Sequence, residues 1–337
     1  MLQQFGASFK NLLKVYYIYC PMIIRKNISQ VLLGLVLLST GCTEFIEPSI
    51  EKKNVTLLAP SNGTESAVYA QTFWWEEVDN ALQYRLQVAT PDFNNPARLI
   101  LDTIITKSRF SYTLDPGNYQ WRVRAENGSS QTPYGKAAFI IQPSSIEDQQ
   151  VQLQSPANNL ITNQSSSVFK WLALFGADKY QLQIDTSNFE DETILFFNKS
   201  TPNQEFNVTL TKDKVYRWRV KAMNATVESK WSVIQSVTLD KTPPGVVFLT
   251  SPTNEQVVSK NVTLKWEALA EAKKYQLYVF KSDGSSVYSS TFPIILTAAT
   301  YSFTEGKSGE KLFWQVRAID EAGNFGAFSE QRSFLIQ

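Results

Sequence analysis

The chain has no histidine in 337 residues and only two cysteines, Cys20 and Cys42. Without histidine there is no Ser-His-Asp or Cys-His nucleophile system and no histidine-ligated metal. Both cysteines fall in the first 42 residues. If that segment is processed, the mature chain has no thiol catalysis, structural zinc or intrachain disulfide. Net charge is scarce too: 32 Lys and Arg stand against 31 Asp and Glu. Such a balance does not supply the clustered cations that grip a phosphate backbone, so no nucleic-acid partner is expected. No cofactor or metal is expected either. Carboxylate chemistry and oxygen-ligated cations stay open. What the chain does have is aromatic residues, 13% of the total with eight tryptophans, enough for large apolar cores.

The amino-terminal region is the first organised feature. Residues 22 to 42 read "MIIRKNISQVLLGLVLLSTGC". Arg25 and Lys26 form a charged head, and Ile28 to Leu38 an apolar body. The body is too short to span a bilayer, which takes ~20 apolar residues. A basic head, a short apolar body and small residues before a cut site mark a secretory signal. The closing "LLSTGC" resembles the lipobox of bacterial lipoproteins, with Ser39 where that family usually has leucine. The resemblance implies acylation of Cys42, removal of residues 1–41 and anchoring to a membrane, where each buried methylene contributes ~0.8 kcal/mol. Met22 is the more natural start, and Cys20 then has no role. The twelve residues after Cys42, "TEFIEPSIEKKN", are largely polar and read as a tether that reaches at most roughly 40 Å. Thr43 rather than Asp after the cysteine favours, by analogy with enteric sorting, the outer membrane.

The remainder repeats three times. Trp75, Trp171 and Trp266 recur at 96 and 95 residues, each followed nine residues later by Tyr84, Tyr180 or Tyr275. A second set reads "YQWRVRA", "YRWRVKA" and "LFWQVRA", carrying Trp121, Trp218 and Trp314. Pro60, Pro156 and Pro252 keep the same period, and Tyr134, Trp231 or Phe328 precedes a last apolar run. Regular spacing of this kind means tandem modules. Within each copy apolar and polar residues alternate, the signature of strands with one wet face. Turn sequences such as "DPGN" at 115–118 separate them. Strands and turns at ~100 residues per unit predict antiparallel sandwiches. These motifs resemble the fibronectin type III family, including its third-strand Y-x-L-x-V and a close variant of its sixth-strand pattern. The resemblance implies modules at 55–142, 151–240 and 246–337 behind a signal at 1–41 and a lipidated tether at 42–54. It also implies a tyrosine-corner hydrogen bond at Tyr119 and Tyr216 that Leu312 cannot make. The links "QPSSIEDQQ" and "DKTPPG" are brief, and paired prolines stiffen the second.

Six tryptophans fall on the inward phase and are expected to be core. Trp74 falls on the outward phase, where the other copies carry Lys170 and Lys265. It and the outward Tyr278 are the candidate ligand-binding residues. For Trp74 the plainer reading is packing against a neighbouring loop or domain. The outward faces of the third and sixth strands gather Arg85, Gln87, Arg122 and Arg124, then Gln183, Arg219 and Lys221, then Gln276, Gln315 and Arg317. Such a face is expected to be solvated. Glu76 and Glu77 are adjacent on a strand and point to opposite faces, so they do not pair for acid–base work. The sequence therefore predicts an all-β, non-catalytic lipoprotein of the outer envelope, periplasmic or surface-exposed. Its expected role is display, scaffolding or adhesion through protein contacts. The alternative is a carbohydrate-binding lipoprotein of a polysaccharide-uptake system, with a glycan as partner.

Overall fold

A computed structural model describes residues 47–337. The expected signal and Cys42 lie outside the described residues. Within them the chain is all-β apart from one 3-10 turn at Ile146–Asp148. Module 1 holds β1 (Leu57–Ala59), β2 (Thr64–Ser66), β3 (Ala70–Trp75), β4 (Gln83–Thr90), β5 (Arg98–Ile105), β6 (Arg109–Thr113), β7 (Gly117–Glu126) and β8 (Gly135–Ile141). Module 2 holds β9 (Leu153–Ser155), β10 (Leu160–Thr162), β11 (Ser166–Trp171), β12 (Lys179–Asp185), β13 (Phe197–Thr201), β14 (Glu205–Thr209), β15 (Lys214–Met223) and β16 (Gln235–Leu239). Module 3 holds β17 (Leu249–Ser251), β18 (Gln256–Val258), β19 (Val262–Trp266), β20 (Lys274–Phe280), β21 (Ile294–Leu296), β22 (Thr300–Phe303), β23 (Lys311–Ile319) and β24 (Arg332–Ile336).

Each module packs a three-stranded sheet on a five-stranded one. In module 1 the orders are β1-β3-β6 and β2-β8-β7-β4-β5, and modules 2 and 3 repeat them. This is a tandem of fibronectin type III-like sandwiches: the alternation predicts the sandwiches, and the repeated motifs resemble that family. One detail departs from a purely antiparallel reading. The first strand breaks near the repeated proline and its second half crosses to the other sheet, where β2, β10 and β18 pair parallel with β8, β16 and β24. Three-residue strands are too short for an alternation to register in the sequence.

The inward phase is as read. Trp75, Trp121, Trp218 and Trp314 have no exposed surface, and Trp171 and Trp266 are buried with them. Each ring buries ~150–250 Å², worth roughly 4–6 kcal/mol gross at ~25 cal/mol/Å². The tyrosine nine residues on leans on the tryptophan at 5.4, 5.7 or 5.5 Å between ring centroids. Its hydroxyl accepts a hydrogen bond from the N–H of Val78, Leu174 or Leu269, 2.9 Å in each case. One residue thus fills the core and fixes the loop between the second and third strands. Tyr119 and Tyr216 donate to the carbonyls of Asp115 and Lys212, each at 2.9 Å. Leu312 is simply buried, and module 3 has no such corner.

The two joints differ. Between modules 1 and 2 a continuous apolar core runs through Ile146 and Val151. The buried Tyr69 donates its N–H to Gln149 Oε1 at 2.9 Å and its hydroxyl to the Ser144 carbonyl at 2.9 Å. Its ring stands edge-on to Phe175 of module 2, 6.2 Å away. Between modules 2 and 3 the cores are separate. That joint rests on Asn324 Nδ2 donating to the Asp240 carbonyl at 2.9 Å. It also rests on Pro244, packed so tightly that a Cβ on Gly326 would lie 2.7 Å from its carbonyl oxygen.

Residues 47–50, within the segment read as tether, are docked on module 1. Ile50 is fully buried in the core, and its N–H donates to Ser130 Oγ at 2.9 Å. Asn127 Nδ2 donates to the carbonyls of Pro48 and Asn80, each at 3.0 Å. Ile50 lies 96 residues before Ile146, and both precede the repeated proline by ten. The repeat unit therefore reaches further upstream than its strands.

Candidate functional site

Two surfaces carry the residues that sequence reasoning singled out. The first is the outer face of the three-stranded sheet of module 1. There β3 alternates exposed and buried residues, and Trp74 is 48% exposed. Its cross-strand neighbours are Ala59 on β1 and Arg109 on β6. Two residues back, Thr72 and Ser111 join their hydroxyls at 2.9 Å. The ring therefore stands on a face of small and hydroxyl-bearing residues beside one guanidinium. In module 2 the same position is Lys170, bonded to Glu205 at 2.8 Å. Trp74 is the tryptophan with the most surface in water, and no aromatic ring or cation stacks on it among the described residues.

The second surface is the outer face of the five-stranded sheets, which is not simply solvated. Arg122 lies between the rings of Phe93 and Tyr134, its guanidinium carbon 4.1 and 4.3 Å from their centroids. Arg219 lies between Phe189 and Trp231 at 4.1 and 4.3 Å. Each arginine also donates from Nε to a buried glutamine on the third strand, Gln87 at 2.8 Å or Gln183 at 3.0 Å. The cation is held by ring quadrupoles on both sides and by a hydrogen bond to its cross-strand partner. The aromatic at 134 or 231 is set over the sixth strand by hydroxyls beside it. Thr132 Oγ1 accepts from the Ala125 N–H at 3.0 Å, and Ser232 Oγ from the Val220 N–H at 3.0 Å. Alternation marks such residues as outward, and it cannot show that rings from two loops cover them.

Module 3 alters this clamp and so places Tyr278. Gln315 stands where the other modules have Arg122 and Arg219, and the clamped arginine is instead Arg317, in register with Arg124 and Lys221. Arg317 lies between Phe325 and Phe328 at 4.2 and 4.6 Å and donates to Gln276 at 2.8 Å. Tyr278, in register with Gln87 and Gln183 and paired across the sheet with Gln315, is stacked on Phe280 at 5.6 Å and edge-on to Phe328 at 5.4 Å. Its ring is half-buried packing rather than an open platform. The two sequence candidates are thus on different modules and different sheets, and the structure does not bring them together. Cys42 lies outside the described residues.

Several carboxylates are held ionised by their neighbours. The hydrogen bond from Arg85, at 2.7 Å, holds Asp102 below the usual carboxylate range. Burial opposes ionisation of Asp185, and donors from the Phe189 and Ser187 N–H groups outweigh it. Asp283 is pulled down to about 2 by Ser286 and the Ser285 N–H. All three accept from their own loop or strand partners. Among the described residues no group of three acidic or cysteine side chains converges on a metal-sized site.

The chain matches no family profile and no curated protein. Among solved structures it is similar to the FN1–FN3 domains of chicken CNTN1. The identity is 14%, over 84% of this chain and 97% of that one, with a TM-score of 0.40. It is similar also to the fibronectin(III)-like modules of Clostridium thermocellum CbhA. There the identity is 13%, over 56% of this chain and 94% of that one, with a TM-score of 0.38.

Proposed function

We propose that this chain is a non-catalytic, lipid-anchored protein of the bacterial outer envelope, displaying three sandwiches and holding a protein partner on module 1. Trp74 carries the reading. A large ring left about half exposed on a sheet face is costly for solubility unless something covers it, and tryptophan is the residue most enriched at the centres of protein interfaces. Its sister positions are lysines, which keep the corresponding faces of modules 2 and 3 wet. The lipobox-like "LLSTGC" supports the anchor at Cys42. Pull-down from detergent-solubilised membranes tests the partner. Trp74→Lys is expected to leave the melting midpoint unchanged and to lose a protein that the parent chain retains. A destabilised variant that retains every partner would overturn this reading. So would glycan-array binding that disappears in the variant, which would make the ring a sugar platform.

A further inference from the structure

The long free edge of module 1 points to a different binding mode on the other sheet from Trp74. β5 is the terminal strand of its five-stranded sheet and runs for eight residues, against five for β13 and three for β21. Its partner β4 takes one side. No hydrogen bond from the rest of the described chain reaches the backbone groups on the other side. Natural edges are usually blunted by shortness, proline or an inward or central charge. β13 carries Lys199, and Pro293 precedes β21. Of the two charges in β5, Arg98 opens the strand, and Asp102, in its middle, is turned onto its own sheet by Arg85 and Gln87. Leu99 and Ile104 stand 49% and 52% exposed beside it.

The seam between the two sheets is also lined differently at this edge. In module 2 it is closed by Phe197 of β13, edge-on to Phe206 of β14 at 5.1 Å. In module 3 Phe292 meets Tyr301 of β22 at 6.0 Å. β5 has no aromatic residue, and Phe110 and Tyr112 of β6 stack on each other instead, at 6.5 Å. Leu101, Ile105, Phe110 and Tyr112 are left half-buried along the seam. Arg98 opens the strand, Lys107 follows it, and Arg109 begins the next. All three are exposed, and none takes part in the module's ion pairs, Lys53–Asp79, Arg85–Asp102 and Arg124–Glu126.

We propose that the edge of β5 accepts an extended segment of a partner protein, apolar at alternate positions and acidic at its ends, as a sixth strand of the module 1 sheet. Main-chain hydrogen bonds would supply affinity, as in strand addition generally. The alternate apolar side chains would cover the seam, and the terminal carboxylates would meet Arg98 and Lys107. A second copy of this chain fits less well, because it would bring the same three unpaired cations to the contact.

The test is hydrogen exchange on the full chain in detergent with the probe peptide Glu-Val-Thr-Val-Thr-Val-Thr-Glu, and with a control peptide bearing proline at its third and fifth positions. The probe is expected to slow exchange across residues 98–105 by roughly tenfold, and the control is not. N–H groups alternate in direction along a strand, so one of Thr103→Pro and Ile104→Pro removes an outward donor. That variant is expected to melt like the parent and to lose the protection. Three results would overturn the proposal. One is no slowing at peptide concentrations near ~1 mM, where even weak sites fill. Another is slowing that persists in both proline variants. The third is slowing that needs no peptide and grows with protein concentration, which would make a second copy the occupant.

Discussion

At the scale of single residues, neighbours on one strand test the packing described here. Trp218 is wholly buried, and Trp218→Ala is expected to cost ~3–5 kcal/mol, as other large core truncations do. Arg219 is the next residue and points the other way, so strand phase alone predicts a loss under about 1 kcal/mol. The structure changes that expectation. The Arg219 side chain is only 12% exposed, clamped between two rings and bonded to the buried Gln183. Removing it strands a buried amide oxygen, which costs ~1–3 kcal/mol. Arg219→Ala is therefore expected to fall in that range, read from urea melts as the loss in the transition of module 2. Asp283 offers a titration. Its folded value lies near 2 against an ordinary 3.8, so its contribution is fully present above 3.8 and is lost as pH falls through about 2. A carboxyl titration by NMR is expected to show that midpoint, and Asp283→Asn to flatten the acid limb of module 3. An unshifted midpoint would mean that the loop does not hold the carboxylate.

At the scale of elements, the sequence shows the strands and hides what joins them. The period-two alternation places six core tryptophans correctly because a strand's inward phase is a local property. The clamp over Arg122 and Arg219 escaped it because Phe93 and Phe189 lie in loops, where no periodicity marks a ring that folds back on a sheet. The cover of Phe280 and Phe328 over Tyr278 makes the same point: alternation gives direction and not cover. Ile50 and Ile146 were missed for another reason. A single buried residue outside a strand leaves no pattern, and only the 96-residue offset could have exposed the pair. The joint makes its own prediction. Ile146→Asp puts an unpaired charge into the apolar continuity between modules 1 and 2. It is expected to give those modules independent alignment tensors in residual dipolar couplings, where the parent chain gives one shared tensor. A substitution at Pro244, in a joint whose two cores are already separate, is expected to leave that shared tensor intact. If Ile146→Asp leaves the two modules aligned, the polar contacts of Tyr69 and Gln149 are holding the joint.

At the scale of the whole molecule, the anchor and the first module have to be considered together. Cys42→Ala is expected to move the protein from the membrane to the soluble fraction, and mass spectrometry of the native amino terminus is expected to find an acylated Cys42. An unmodified terminus elsewhere would remove the anchor. If the anchor holds, the docking of Ile50 sets the footing. Glu47 and Pro48 are already fixed to the loop of Asn127 and Ser129, so only five residue steps separate Cys42 from the folded body. Fully extended, they reach about 18 Å, less than half the span of a free tether of twelve. The protein then behaves as a post set in the bilayer surface rather than a float on a line. Module 1 stays within about 18 Å of the lipid.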